Sequence, residues 1–191
     1  MTCKEAKELV KSRLGEKRYR HTLNVKKMAV ALAERWGADP EKAALAALLH
    51  DSAKELSRAE LLQIFHDNAI IANNAAERPA PVWHGLAAAI LCQTRWGVTD
   101  PEILSAIRCH TTGKAGMSLL DKIIYMADMT SDERDFPGVE TLRKLEFEDL
   151  DRALCTALEQ SLAFVKEGGK PVDPESLAAL EDVRSTLAHR T

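Results

Sequence analysis

Ala47-Leu48-Leu49-His50-Asp51-Ser52-Ala53-Lys54 sets a histidine and an aspartate side by side at the end of an apolar run, with a lysine three residues later. A charged carboxylate beside a core is costly unless it is paired or coordinated. Read alone, the dipeptide fits a solvated helix end equally well, so the other histidines decide. There are six, at His21, His50, His66, His84, His110 and His189. Asp128 follows its own apolar segment, Leu119, Leu120, Ile123, Ile124 and Ala127, much as Asp51 does. His66 lies off this pattern and reads as structural. The order through the middle of the chain is His21, His50-Asp51, His84, His110, Asp128. Imidazole and carboxylate together suit borderline metals such as iron, manganese, cobalt and zinc. Six such ligands exceed what one structural zinc takes, and they suggest a two-metal hydrolytic site.

Two stretches around these histidines echo each other. Arg35-Trp36-Gly37 followed by Asp39-Pro40-Glu41 recurs as Arg95-Trp96-Gly97 followed by Asp100-Pro101-Glu102. In each, glycine suits the residue just past a helix. Aspartate, proline and glutamate then supply an N-cap, a first helical residue and an early acid. Each echo has a histidine near the start of its first helix and another at the end of its second. From His21 to Arg35 the chain climbs about 21 Å at about 1.5 Å per residue, and from Pro40 to His50 it returns about 15 Å. The second echo climbs about 16 Å and returns about 13 Å on the same rise. Two antiparallel helical hairpins would therefore each gather a histidine pair at one end. If those ends pack together, all four meet.

The remaining chain is also helical in pattern. Residues 3–14 read as a short helix ended by Gly15, and the next helix is expected from about residue 19 to 36, with Leu23, Val25, Met28, Ala29, Leu32 and Trp36 on one face. Ser57-Arg58-Ala59-Glu60 is a capping box. Asn73, Asn74, Pro79 and Pro81 mark a loop before a helix that carries His84. Further helices are expected over residues 116–129, 139–146 and 148–166, and Asp173-Pro174-Glu175 opens a last one, packed outside the core or partly mobile. No strand is convincing, so the fold class is an all-α helical bundle. Leu150, Leu154, Leu158, Leu162 and Val165 share one face that suits either a core or a homodimer interface.

Composition agrees. At 191 residues one domain is expected, and 46% hydrophobic residues suffice for a sizeable core. Aromatics are 5%, which favours helix over sheet. A net charge of −3 gives no bulk attraction to a nucleic acid polymer or an anionic membrane. No apolar run spans a bilayer and no signal region is seen, so the cytoplasm is the expected location. Cys3, Cys92, Cys109 and Cys155 form no CxxC pair and are expected to be reduced. Cys109 beside His110 reads as buried filler rather than as a nucleophile.

The ordered histidines and aspartates resemble those of the HD-domain superfamily of metal-dependent phosphohydrolases. Arg18-Tyr19-Arg20-His21-Thr22, Leu48-Leu49-His50-Asp51-Ser52-Ala53-Lys54, Ile107-Arg108-Cys109-His110-Thr111-Thr112-Gly113 and Ala127-Asp128 with Arg134-Asp135-Phe136-Pro137-Gly138-Val139-Glu140 look like its YqeK-type branch. The match runs in order from about residue 17 to about residue 165. One departure stands out: the family usually reads Glu-Pro where this chain has Ser131-Asp132. The resemblance implies an HD-domain helical bundle over residues 1–170, with residues 171–191 as a helical extension packed on or beside it. It implies that His21, His50, Asp51 and Asp128 hold one metal ion and that His84 and His110 hold a second, with Asp51 bridging. It implies two transition-metal ions, divalent or trivalent, with iron favoured over manganese, cobalt or zinc. It also implies symmetrical cleavage of diadenosine tetraphosphate to two ADP, so the expected partner is a dinucleoside polyphosphate or nucleoside diphosphate.

Other residues near this ligand set suit phosphate. Asp51 and Lys54 are the expected catalytic pair, the lysine reaching a phosphate or the attacked oxygen. Thr111, Thr112 and Gly113 can donate to phosphate oxygens or merely cap a helix. Arg20 and Arg134 suit bidentate phosphate contact or a surface role. Two other readings stay open. One is a different HD-type phosphohydrolase, acting on a nucleoside monophosphate or cyclic dinucleotide. The other is a non-catalytic nucleotide-binding module, which the Ser131-Asp132 departure alone suggests.

Overall fold

In the computed structural model, which describes residues 1–68 and 78–190, Gly37 closes helix α2 (Glu16–Trp36) in the left-handed conformation, with φ 75°. The Asp39 side chain then caps α3 (Pro40–Leu49), accepting from the backbone N–H groups of Glu41 and Lys42. The second echo repeats this chemistry. Asp100 caps α6 (Pro101–Cys109) by accepting from Glu102 and Ile103. That helix follows α5 (Trp83–Thr94), which a 3-10 turn at Ala80–Val82 introduces. α1 (Cys3–Arg13), α4 (Arg58–Asp67), α7 (Leu119–Thr130), α8 (Val139–Glu148), α9 (Leu150–Glu167) and α10 (Pro174–Ala188) complete the order. Ten α-helices and no strand occur among the described residues, as the sequence pattern predicts. The loop expected at Asn73 and Asn74 lies outside them. None of these helices is long and apolar enough to cross a membrane.

Two starts differ from the sequence expectation by three residues. α2 begins at Glu16 rather than near residue 19, because Gly15 takes the extended N-cap conformation. Arg18 is thereby helical, one turn before His21. α7 begins at Leu119 rather than at residue 116, because Ser118 and Asp121 form a capping box.

α3 lies at the centre, against α1, α2, α6 and α7. Ala43, Ala46, Ala47, Leu48 and Leu49 have no exposed surface. A helix apolar on every side must be buried, and its alanines let the neighbouring helices approach closely. At the capped ends, Lys42 Nζ reaches Asp100 at 2.9 Å and Glu102 at 2.6 Å, so the two hairpins lie side by side with their turns together. Their histidine-bearing ends therefore share the opposite pole. α7 packs on α2, α3 and α6 and brings Asp128 to that pole. The last helix is drawn inward: Ala179 and Val183 of α10 are buried with the main core.

Beneath the Asp128 loop lies a fully buried acid, Glu146 of α8. Burial pushes its carboxyl up to about 8. The hydrogen bonding agrees with a protonated acid. Thr130 Oγ1 has one proton and lies 2.7 Å from the Met126 carbonyl. Both Glu146 oxygens also lie within 3.0 Å of it. With the hydroxyl donating to Met126, the carboxyl must donate back. A carboxyl with a raised folded-state pKa contributes fully below its unfolded value of 4.5, and that contribution is lost as pH rises towards 8. At pH 7 the loss is on the order of 3 kcal/mol. Glu146→Gln keeps the donor and does not titrate. Its melting temperature is expected to match the wild type near pH 5 and to exceed it by several degrees at pH 8. A gap that is the same at both pH values would exclude a neutral Glu146.

Candidate active site

Three histidines at the shared pole are oriented by the backbone three residues before them. His50 Nδ1 donates to the Ala47 carbonyl at 2.6 Å, His110 Nδ1 to Ile107 at 2.8 Å and His84 Nδ1 to Pro81 at 3.0 Å. Each bond places the ring proton on Nδ1 and leaves a bare lone pair on Nε2. Those lone pairs converge on Asp51. His84 Nε2 is 3.2 Å and His110 Nε2 3.6 Å from Oδ1, while His50 Nε2 is 3.6 Å and His21 Nε2 3.7 Å from Oδ2. His21 Nε2 is also 3.1 Å from Asp128 Oδ1. All six residues but Asp128 are buried.

This arrangement suits cations. His84 Nε2 and His110 Nε2 are 3.1 Å apart with neither carrying the proton. The buried Nε2 of His50 has no hydrogen-bond partner, and that of His21 faces the Asp128 carboxylate at 3.1 Å. Among the described residues, three sets hold ligand atoms within 4.8 Å of one another: His21, His50 and Asp51; His50, His110 and Asp128; Asp51, His84 and His110. Neutral imidazole and ionised carboxylate are the forms a metal needs, and the site favours them at His50, His84, Asp51 and Asp128. Burial lowers His50 and His84 to about 4. Burial alone would raise Asp51, but His50, His110 and His84 hold it well below the usual carboxylate range. The half-buried Asp128 is likewise low: desolvation opposes its charge, but His21, His50 and Arg134 hold it down.

The other expected site residues divide. Lys54 follows Asp51 through a tight turn, its N–H donating to the Asp51 carbonyl at 2.9 Å, and its ammonium lies 3.2 Å from His84 Nε2. Thr111 Oγ1 is 3.1 Å from His110 Nε2. Arg134 joins the cluster by holding Asp128, with Nη2 2.5 Å from Oδ1 and Nε 2.9 Å from the backbone carbonyl. Arg20 does not join it: this exposed side chain pairs with Glu16 at 2.7 Å. Thr112 is buried and donates to the Gly113 carbonyl at 2.8 Å. Gly113 packs rather than reaching outward. It adopts φ +66°, and a Cβ there would meet Ala179 Cβ at 2.9 Å. His66 is exposed beside Asp67. Cys109 is buried, and burial pushes its thiol up, which does not suit a nucleophile.

Two residues enter that the sequence reading did not single out. Arg18 Nη1 donates to Asp51 Oδ2 at 2.8 Å. Its spacing, three before His21 on one helix face, was the available signal. Glu133 accepts a short hydrogen bond from His21 Nδ1. Asn24 Nδ2 donates to the other Glu133 oxygen at 2.6 Å, and Ser131 Oγ to the first at 2.8 Å. Burial opposes charge on His21, yet Asp128 and Glu133 together hold its pKa above the ordinary value.

The sequence model of the HD domain family matches residues 18–133, which contain every ligand candidate named above. The chain is 42% identical to a protein of Bacillus subtilis (strain 168) described as "Bis(5'-nucleosyl)-tetraphosphatase, symmetrical", over 92% of this chain and 94% of that one. It is 37% identical to a protein of the same description from Halalkalibacterium halodurans, over 91% and 92% of the two chains. A crystal structure from Clostridium acetobutylicum, described as a predicted HD superfamily hydrolase involved in NAD metabolism, superposes with a TM-score of 0.92 at 36% identity. That match covers 97% of this chain and 98% of the other. With its ordered histidines, its central Asp51 and these relatives, the chain belongs to the HD-domain family of hydrolases, on the branch whose curated members are named symmetrical bis(5'-nucleosyl)-tetraphosphatases.

Proposed function

We propose that this chain is a metal-dependent enzyme that hydrolyses a dinucleoside polyphosphate, diadenosine tetraphosphate, to two ADP. The observation that carries the metal chemistry is the convergence of four imidazole Nε2 atoms on Asp51. The relatives' names support the substrate. The donor set supports two ions bridged by Asp51, with His21, His50 and Asp128 on one and His84 and His110 on the other. Mixed imidazole and carboxylate ligands accept iron, manganese, cobalt or zinc, and we favour iron. When bound, the metal supplies an acidified water and positive charge for phosphate oxygens.

The chain's own groups do the rest. Arg18 and Arg134 hold Asp51 and Asp128 in place. Lys54 remains a cation on the open side of His84, although burial lowers its pKa. There it neutralises the phosphate oxyanion that departs when the central P–O–P bond breaks. Thr111 donates its hydroxyl to a phosphate oxygen. The Ser131-Asp132 departure does not leave the loop without an acid at the cluster, because Glu133 meets His21 instead. That observation weighs against a merely nucleotide-binding module.

Product analysis tests this reading. The metal-analysed protein is incubated with diadenosine tetraphosphate, with and without chelator, and ADP is resolved from AMP plus ATP. ADP alone, lost on chelation, is expected. AMP plus ATP would overturn symmetrical cleavage while keeping the metal chemistry. No product from metal-loaded protein would overturn the substrate, and a panel of nucleoside monophosphates and cyclic dinucleotides would then identify another one.

A further inference from the structure

The four imidazoles form a row. Ring centroids are 5.5 Å apart from His21 to His50, 4.9 Å from His50 to His110 and 5.0 Å from His110 to His84. A cavity opens at each end of it, and the two share no lining residue. At the His21 end, a space of about 490 Å³ is lined by Lys17, Arg18, Arg134 and the half-buried Phe136, among others. Beyond the His84–His110 end lies a space of about 430 Å³ lined by Thr111, whose Oγ1 is 3.1 Å from His110 Nε2. Its walls are largely apolar, with Pro81, Val82, Tyr125 and Leu162, and Lys170 stands among them. Phe164 also lines it and is 71% exposed.

We infer that the two nucleoside halves of the substrate occupy these two cavities, one at each end of the row. This rests on the function proposed above and assigns it a geometry. Each volume lies within the range of small-molecule sites. Each cavity offers an aromatic face, Phe136 or Phe164, and a base stacks on such a face whatever its identity. Each also carries lysine or arginine for the phosphates nearest its nucleoside. A dinucleoside tetraphosphate has two identical ends joined by four phosphates. With both ends seated, the phosphate chain crosses the row and its middle lies over Asp51. Cleavage at an outer anhydride would require one nucleoside to leave its cavity. The symmetry of the products then follows from the two-ended seat.

The test is steady-state kinetics of the metal-loaded full-length enzyme with Phe136→Leu, Phe164→Leu and the double variant. Leucine keeps apolar volume and removes the stacking face, and melting curves check the fold. Each single variant is expected to raise KM for diadenosine tetraphosphate roughly five- to a hundredfold, the range for losing one base–aromatic stack, with kcat little changed. In the double variant the two factors are expected to multiply, as for separate subsites. An unchanged KM in either folded single variant overturns the two-ended seat. So does a double variant no worse than a single one. Failure of the wild type to release ADP overturns the proposed function itself, and is read before any variant.

Discussion

Asp51→Asn is expected to lower kcat at least about a thousandfold, more than about 4 kcal/mol of transition-state stabilisation. The size follows from position. The two Asp51 oxygens face different histidine pairs, Oδ1 towards His84 and His110 and Oδ2 towards His50 and His21. Arg18 occupies a further direction on Oδ2 at 2.8 Å. Asparagine keeps the shape and removes the charge, and it turns an NH2 group towards lone pairs otherwise available to a cation. His50→Ala is expected to abolish turnover as well, since its Nε2 is buried without another partner. Helix content should survive in both variants, because the helices around the site are set by distant caps and an apolar core. The checks are kcat, bound metal per chain and far-ultraviolet circular dichroism. Near-wild-type turnover in either folded variant would remove the metal role altogether.

Glu133→Ala is expected to weaken metal retention about ten- to a hundredfold, the usual cost of losing a carboxylate behind a ligating histidine. Glu133 accepts from His21 Nδ1, and so presents Nε2 towards Asp128 and Asp51. It is itself held by Asn24 and Ser131, and despite its partial burial these bonds and His21 keep its carboxyl down at about 2. Glu133→Gln should recover part of the loss, since its amide oxygen still accepts from Nδ1. Competition with a chelator measures the affinity independently of turnover. Equal affinity in the alanine variant and the wild type would show that His21 needs no such support.

Much of this site was legible in residue order. The caps at Asp39 and Asp100, and the glycine after Trp36, involve groups within a few residues of one another, so they can be read locally. Helical rise then places His21 with His50 and His84 with His110 at the ends of two hairpins. Arg20 and Arg18 show where that reading stops. Both are basic and near His21, but once α2 extends back to Glu16 the three-residue spacing puts Arg18, not Arg20, on the His21 face. Gly113 shows the same limit, because its lack of room comes from Ala179, far along the chain.

By itself, then, the sequence determined the all-α class, the helix ends and the six candidate ligands, because each depends on short-range hydrogen bonding, periodicity or residue chemistry. The tertiary structure alone decided that the hairpins pack with their histidine ends together, that Glu133 supports His21 across 112 residues, and that two cavities flank the row. Those outcomes depend on how side chains of different helices fill one another's spaces, and no local rule along the chain specifies that packing.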